Sequence, residues 1–198
     1  MRKALFVFIA VIGFLVINSF IPTKKECEIY NSTVRLHVIA NSDSEEDQKI
    51  KLKVRDAIIE QMSTYNAKTK EEALGYIEND KENLKKIAEE CIKSHGYNSS
   101  VAIEIGEESY PTREYEDFTL PAGKYTSLRV IIGNGEGQNW WCVLYPPLCT
   151  STAIEFDDDS VNVGFTKEQY NLITGNTKEY KIKFKLLEMA SQAFGFDY

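Results

Sequence analysis

The chain has 198 residues and a formal net charge of −7, with 30 acidic residues against 23 lysines and arginines. It is long enough for one domain with its own core. The acidic balance, without any basic cluster, argues against nucleic acid and against anionic lipid headgroups as partners. The four cysteines and two histidines do not gather into a set of metal ligands, and no cofactor is implied.

Arg2 and Lys3 precede fourteen uncharged, almost wholly apolar residues, Ala4 to Ile17; Asn18 and Ser19 interrupt the run, and Phe20, Ile21 and Pro22 close it. A basic start followed by such a stretch is the pattern of a secretory signal, with the positive end held on the cytoplasmic side. Residues 1–21 are therefore expected to be an export segment. With Arg2 and Lys3 set aside, the remainder carries −9 and is expected to work outside the membrane. Ser19 suits the small position before a cleavage site, and Ile17 does not suit the position two places earlier. Counted through Ile21 the run has 18 residues, against the roughly 20 that span a bilayer. A cleaved signal and an uncleaved anchor both stay open. Cys27 follows Lys24, Lys25 and Glu26, which is not a lipidation context.

Residues 22–32 read as a polar linker, and residues 33–198 as a single domain. Val34, Leu36 and Val38 alternate with Arg35 and His37, a strand period. Asn41-Ser42-Asp43-Ser44 reads as a turn and helix cap, with Ser42 and Glu45 spaced as a capping box. Ile50, Val54, Ile58 and Met62 then recur at helical spacing, predicting a helix from about Ser44 to Ser63. Thr69 and Glu72 form a second capping box. The apolar stripe after it is interrupted at Asn79-Asp80, so one kinked helix or two short ones are expected up to His95-Gly96.

Beyond Tyr97 the period becomes two. Val101, Ile103 and Ile105 share a strand face, and Tyr125–Ile132 and Asn139–Tyr145 read as two further strands. Between those two lies Gly133-Asn134-Gly135-Glu136-Gly137-Gln138. This glycine-rich segment leads into a strand and not a helix, so it reads as a turn and not as a phosphate loop. The two strands are expected to form an antiparallel hairpin. Residues 157–162 form an acidic loop, and Tyr180, Phe184, Leu187, Ser191 and Phe194 predict a C-terminal helix over residues 178–194. Helices and strands come in blocks, so the class is α+β: an antiparallel sheet of about four strands with two to four helices packed on it.

Cys142 and Cys149 flank Pro146-Pro147, which in an exported chain suggests a local disulfide; two buried thiols are the alternative. Cys27 and Cys91 are expected to be unpaired. Trp140 and Trp141 are adjacent on a strand and point to opposite faces. One fits the core, and the other, near Tyr145 and the prolines, fits a contact patch. His37, Asn41, Glu104 and Asn139 are the polar residues near strand ends. A nucleophile to accompany His37 is not identifiable.

Three stretches carry a resemblance. The first is Arg35-Leu36-His37-Val38-Ile39-Ala40-Asn41-Ser42-Asp43-Ser44 with Lys51-Leu52-Lys53-Val54-Arg55-Asp56 after it. The second is Leu120-Pro121-Ala122-Gly123-Lys124-Tyr125, and the third runs from Gly133 through Asn139-Trp140-Trp141-Cys142 to Pro146-Pro147-Leu148-Cys149. Together they resemble the stage II sporulation protein R family, over the chain from its start to Cys149. The resemblance implies a protein of endospore formation, made in the forespore and exported into the space between the two membranes that separate it from the mother cell. There it activates a membrane-embedded aspartic protease that processes the precursor of the early mother-cell sigma factor. It implies a signal and not an enzyme, with no catalytic residue to carry over. Gly133, Gly135, Gly137, Asn139, Trp140, Trp141, Pro146 and Pro147 are then the candidate partner-binding residues, with Cys142 and Cys149 preorganising the loop. The alternative expectation is an exported hydrolase acting on cell wall or peptides, which requires His37 and a carboxylate to converge in a pocket.

Overall fold

The computed structural model describes residue 13, residues 24–115 and 118–149, and residues 165, 166, 169, 173 and 174. The expected export segment, the acidic loop over 157–162 and the C-terminal helix over 178–194 lie outside the described residues.

The chain order is α1 (Lys24–Asn31), β1 (Val34–Ile39), α2 (Glu45–Ser63), α3 (Lys70–Asn79), α4 (Lys81–Ser94), β2 (Val101–Tyr110), β3 (Arg113–Glu114), β4 (Thr119–Leu120), β5 (Gly123–Ile132) and β6 (Asn139–Tyr145). The class is α+β. Four strands form one sheet in the order β2-β5-β1-β6, and β3 and β4 form a separate two-stranded piece.

Two sequence expectations change here. The stretch read as a polar linker is largely helix α1. Ile29 is fully buried and Tyr30 sends its hydroxyl to the Ala122 carbonyl at 2.9 Å, so this helix is held by tertiary contacts that a local composition does not reveal. The expected β5–β6 hairpin is absent, because β1 lies between the two strands. It runs parallel to β5, with Leu36 opposite Leu128, and antiparallel to β6, with Leu36 opposite Cys142. β2 completes the sheet antiparallel to β5. Neighbouring strands are about 4.8 Å apart, so the Gly133–Gln138 segment must cross roughly twice that distance over the end of β1. A two-residue hairpin turn cannot do so; six residues can.

The central place of β1 explains its composition. All six of its residues are buried, although its sequence alternates. Val34, Leu36 and Val38 face the helices and pack with Ile50, Val54 and Ile58 of α2, Ile77 of α3, Leu84 and Ile92 of α4, and Leu128 and Val130 of β5. Each such side chain contributes about 1.5–3 kcal/mol when removed from water. The other face carries a second cluster around Ile29, Tyr110, Leu120, Tyr125, Val143, Phe165 and Ile173. Arg35 and His37 point into this second layer and are buried there.

The helix ends follow local chemistry. Ser44, not Ser42, caps α2: its hydroxyl accepts the Asp47 amide at 3.1 Å. The Thr69 hydroxyl accepts the Glu72 amide at 3.1 Å, and Glu72 returns a carboxylate oxygen to the Lys68 amide at 2.8 Å. The interrupted stripe is resolved as two helices meeting at Asp80, which closes α3 and opens α4. The Asp80 carboxylate accepts from the Tyr65 hydroxyl and the Asn83 amide.

Candidate interaction site

The glycine segment is laced to the turn that follows β1. The Gly137 amide donates to the Ala40 carbonyl at 2.9 Å and the Glu136 amide to the Asn41 carbonyl at 3.3 Å. The Asn134 amide donates to Asn41 Oδ1 at 3.0 Å, and the Gln138 amide to Asp43 Oδ1 at 2.7 Å. Gly133 and Gly135 sit at positive φ, +56° and +67°, where a side chain strains the backbone. Gly137 is needed for another reason: a Cβ there would run into the Ser42 carbonyl.

The turn is in turn fixed by α2. Asp47 accepts from Asn41 Nδ2 at 2.9 Å and from Ser42 Oγ at 2.5 Å. The Ser42 hydrogen bond is the largest of the effects that hold its carboxyl below the usual range. Lys51 spans both parts, donating to the Gln138 carbonyl at 2.9 Å and to Gln48. Burial pushes its ammonium below the usual lysine range. The two most distinctive sequence stretches, far apart in the chain, thus make one structural unit.

β6 leaves this unit at Asn139 and ends at the prolines. Trp140 is on the helix side, 37% exposed, with the Arg55 guanidinium 4.3 Å from its ring centroid. Trp141 is on the opposite side and half-buried, covered by Arg113 at 3.8 Å. Cys142 and Cys149 are joined by a disulfide with a Cα–Cα distance of 5.6 Å, so Pro146 and Pro147 lie in a closed loop at the far end of the strand. Cys91 is a free thiol, and burial raises its pKa above the ordinary value. The proposed contact residues therefore divide between the two ends of β6: Gly133, Gly135, Gly137, Asn139 and Trp140 at one, Pro146 and Pro147 at the other. A strand of seven residues separates them by roughly 20 Å.

Beside the disulfide loop is an apolar cavity of about 340 Å³, bounded by α2, the α2–α3 connection, α3 and the end of β6. Sequence reading had no access to it, since its walls come from two stretches far apart in the chain, residues 59–73 and 144–149.

The second sheet face carries a polar network. His37 Nδ1 meets Glu108 Oε1 at 2.8 Å, and its Nε2 meets Asn139 Oδ1 at 2.8 Å. Burial works to raise the Glu108 pKa, but the hydrogen bond and charge of His37, together with hydrogen bonds from Tyr110 and Ser127, outweigh it and leave the carboxyl below its ordinary value. Arg129 Nη1 donates to Glu104 at 2.8 Å. Of the four polar residues singled out in the sequence, His37 and Asn139 come together, while Asn41 belongs to the turn and Glu104 pairs with Arg129. His37 is 5% exposed, and the apolar cavity is not lined by it. No group of three or more potential metal ligands occurs among the described residues.

Arg35 was missed as a special residue. It is fully buried, donating from Nε to the Cys142 carbonyl and from Nη2 to the Tyr115 hydroxyl, both at 2.9 Å. Its guanidinium lies 4.2 Å and 5.0 Å from the ring centroids of Tyr110 and Tyr125, which offsets part of the cost of burying the charge. An Arg in an alternating strand was the available signal.

The family model for stage II sporulation protein R matches residues 30–155. The chain belongs to this family. It is similar to the stage II sporulation protein R of Bacillus subtilis (strain 168), with 39% identity over 123 residues, which is 61% of this chain and 55% of that protein. The chain thus matches about half the length of this relative. The family's name places it in sporulation. No solved structure matches the chain. The matched residues include the turn, the glycine segment, β6 and the disulfide loop.

Proposed function

We propose that this chain is an intercompartmental signal of endospore formation. It is exported from the forespore into the intermembrane space, where it activates a membrane-embedded aspartic protease and so causes processing of the early mother-cell sigma-factor precursor. The observation that carries this reading is the family match over residues 30–155, which spans the interlocked turn and glycine segment and the Cys142–Cys149 bond. A structural disulfide suits an oxidising space outside the cytoplasm.

The action required is binding. To drive the protease from inactive to active, the signal must bind the active arrangement more tightly; a shift from 1:99 to 99:1 needs about a 10⁴-fold preference. No cofactor takes part. Trp140 offers an exposed aromatic anchor held in place by Arg55. It is the contact residue of the tryptophan pair, since Trp141 is covered by Arg113.

The test is Trp140→Ala and Trp141→Ala, made separately in the full-length chain and followed by export and by sigma-factor processing. Trp140→Ala should be exported normally and lose most processing. Full processing by both variants at normal exported levels excludes this surface. The alternative reading, an exported hydrolase acting on cell wall or peptides, draws on the His37–Glu108 pair. Burial of His37 weighs against it, as does the absence, among the described residues, of a serine or cysteine bonded to His37.

A further inference from the structure

Resting on the reading above for its consequence in signalling, we propose that His37 is a positioning residue for the end of β6 that presents Trp140, and that it acts as an imidazolium, so that the placement of Asn139 depends on one buried proton.

The donors and acceptors around the ring carry the inference. His37 Nδ1 lies 2.8 Å from a carboxylate oxygen of Glu108, and Nε2 lies 2.8 Å from Asn139 Oδ1. Both partner atoms are acceptors. A neutral imidazole has one N–H and serves one of them; the doubly protonated ring donates to both. The ring is 5% exposed, and a charge so buried is tolerated where hydrogen bonds replace its water. The Trp141 ring lies beside it, 5.6 Å between centroids.

The neighbouring strands bring charged and titratable groups to this ring. β2 brings Glu108 and Tyr110, whose ring centroid is 6.4 Å away and whose hydroxyl pKa is pushed up by burial. β5 brings Arg129, with Nε 3.8 Å from the bonded Glu108 oxygen and Nη1 on Glu104 of β2. β1 itself brings Arg35, two positions before His37 and buried on the same face, and β3 brings Arg113, lying over Trp141. β6 brings the uncharged Asn139 and Trp141. Three arginines oppose a positive ring, and one carboxylate in direct contact favours it. The proton is therefore held by specific bonds and not by acidic surroundings.

Raising the pH removes it. The bond to Glu108 has an ionised acceptor and is the stronger, so Nδ1 keeps its hydrogen and Nε2 is left with a lone pair facing Asn139 Oδ1. Two acceptors at that distance repel. The Asn139 carboxamide must leave or turn its Nδ2 inward, and among the described residues no other hydrogen bond holds it. Asn139 directly follows the glycine segment and directly precedes Trp140, so its movement reaches the contact residue.

The experiment follows the full-length chain, labelled with nitrogen-15 and held in detergent micelles, by NMR from about pH 5 to 8. His95→Gln identifies the His37 signals. The expected result is a ring protonated on both nitrogens at the acid end. Loss of the Nε2 proton should then displace the Asn139 carboxamide and Trp140 indole signals at one shared midpoint. Glu108→Gln removes the charge beside Nδ1 and should move that midpoint down by about one pH unit; Asn139→Asp sets a carboxylate at Nε2 and should move it up by about as much. A ring that only fills space moves neither. If one variant fails to fold, the unmodified chain and the other variant decide. A single ring N–H over the whole range overturns the proposal, as does an Asn139 carboxamide that stays still while the ring titrates. If the ring keeps both protons throughout, Glu108→Gln must bring the midpoint into range or the proposal falls. In the forespore, Glu108→Gln should need about fivefold more exported protein for half-maximal sigma-factor processing, with the same maximum. An unchanged requirement overturns the positioning role. If processing persists when the whole chain is deleted, the functional reading falls, while the titration still decides the state of His37.

Discussion

Glu108 on β2 reaches over β5 to hydrogen-bond His37 on β1 at 2.8 Å. The other nitrogen of the same ring meets Asn139, the first residue of β6. One imidazole thus ties three strands, and Glu108 takes a lowered pKa from the bond, against the opposing effect of burial.

The linkage has a definite sign. A carboxyl whose folded pKa lies below its unfolded value stabilises the fold above the unfolded pKa. That stability is lost as the pH falls through the folded value, below the ordinary 4.5 of a glutamate. Urea unfolding between neutral pH and this acid range should show the loss. Glu108→Gln should weaken it and cost about 1–3 kcal/mol at neutral pH. An unchanged acid limb in Glu108→Gln would assign the acid sensitivity to other carboxylates.

Glycine substitutions should divide by position. Gly137→Ala forces a methyl into the Ser42 carbonyl and should destabilise by about 1–3 kcal/mol. It should also increase amide exchange at Glu136 and Gln138, whose amides bond to the turn. Gly75→Ala lies in the interior of α3, where a Cβ meets nothing within 4 Å, and should stabilise by about 0.5–1 kcal/mol. Thermal unfolding of the two variants side by side checks the contrast.

Replacing Cys142 and Cys149 together by Ala opens a short loop with a sequence separation of 7. The expected loss is about 2–3 kcal/mol on the loop-entropy estimate. Because Cys149 and Pro147 wall the apolar cavity, proteolysis at Pro147–Leu148 should rise more than at the glycine segment, a difference that limited digestion resolves.

Arg35 distinguishes planar charge from point charge. Its guanidinium makes two hydrogen bonds and lies over two tyrosine rings. Arg35→Lys keeps the charge but cannot reproduce the fork and should cost about 2–4 kcal/mol. Arg35→Met removes the buried charge and should cost less than Arg35→Lys, as read from chemical denaturation at neutral pH.

Much of the fold was legible because its signals are local. The α2 stripe from Ile50 to Ile58, the Thr69–Glu72 box, the break at Asp80 and the β2 alternation each depend on residues within a few positions. What escaped the sequence depends on distant partners. Adjacent strands with a glycine segment between them ordinarily pair, and nothing near Gly133 announces that β1 will enter between β5 and β6. Arg35 and His37 read only as the alternating members of a strand, because Tyr110, Tyr115, Glu108 and Asn139, which receive them, come from elsewhere. At the site, the motif at Gly133–Cys149 stood out by composition. Its division into two ends of β6, and the cavity at one of them, needed the fold.

The insertion of β1 has a consequence for passage through a membrane, should the chain be exported as proposed. The central strand is the first to be made, yet its neighbours come last: His37 waits for Asn139, 102 residues later. Closing such a span is slow, and sheets built from distant pairings form late. Until nearly all of residues 34–145 are available together, the sheet has no centre to assemble on. In an exported chain, late assembly would keep the polypeptide threadable through a translocation channel and defer the folded shape to the far side, so the order of strands would act as a timer on where the proposed signal becomes competent.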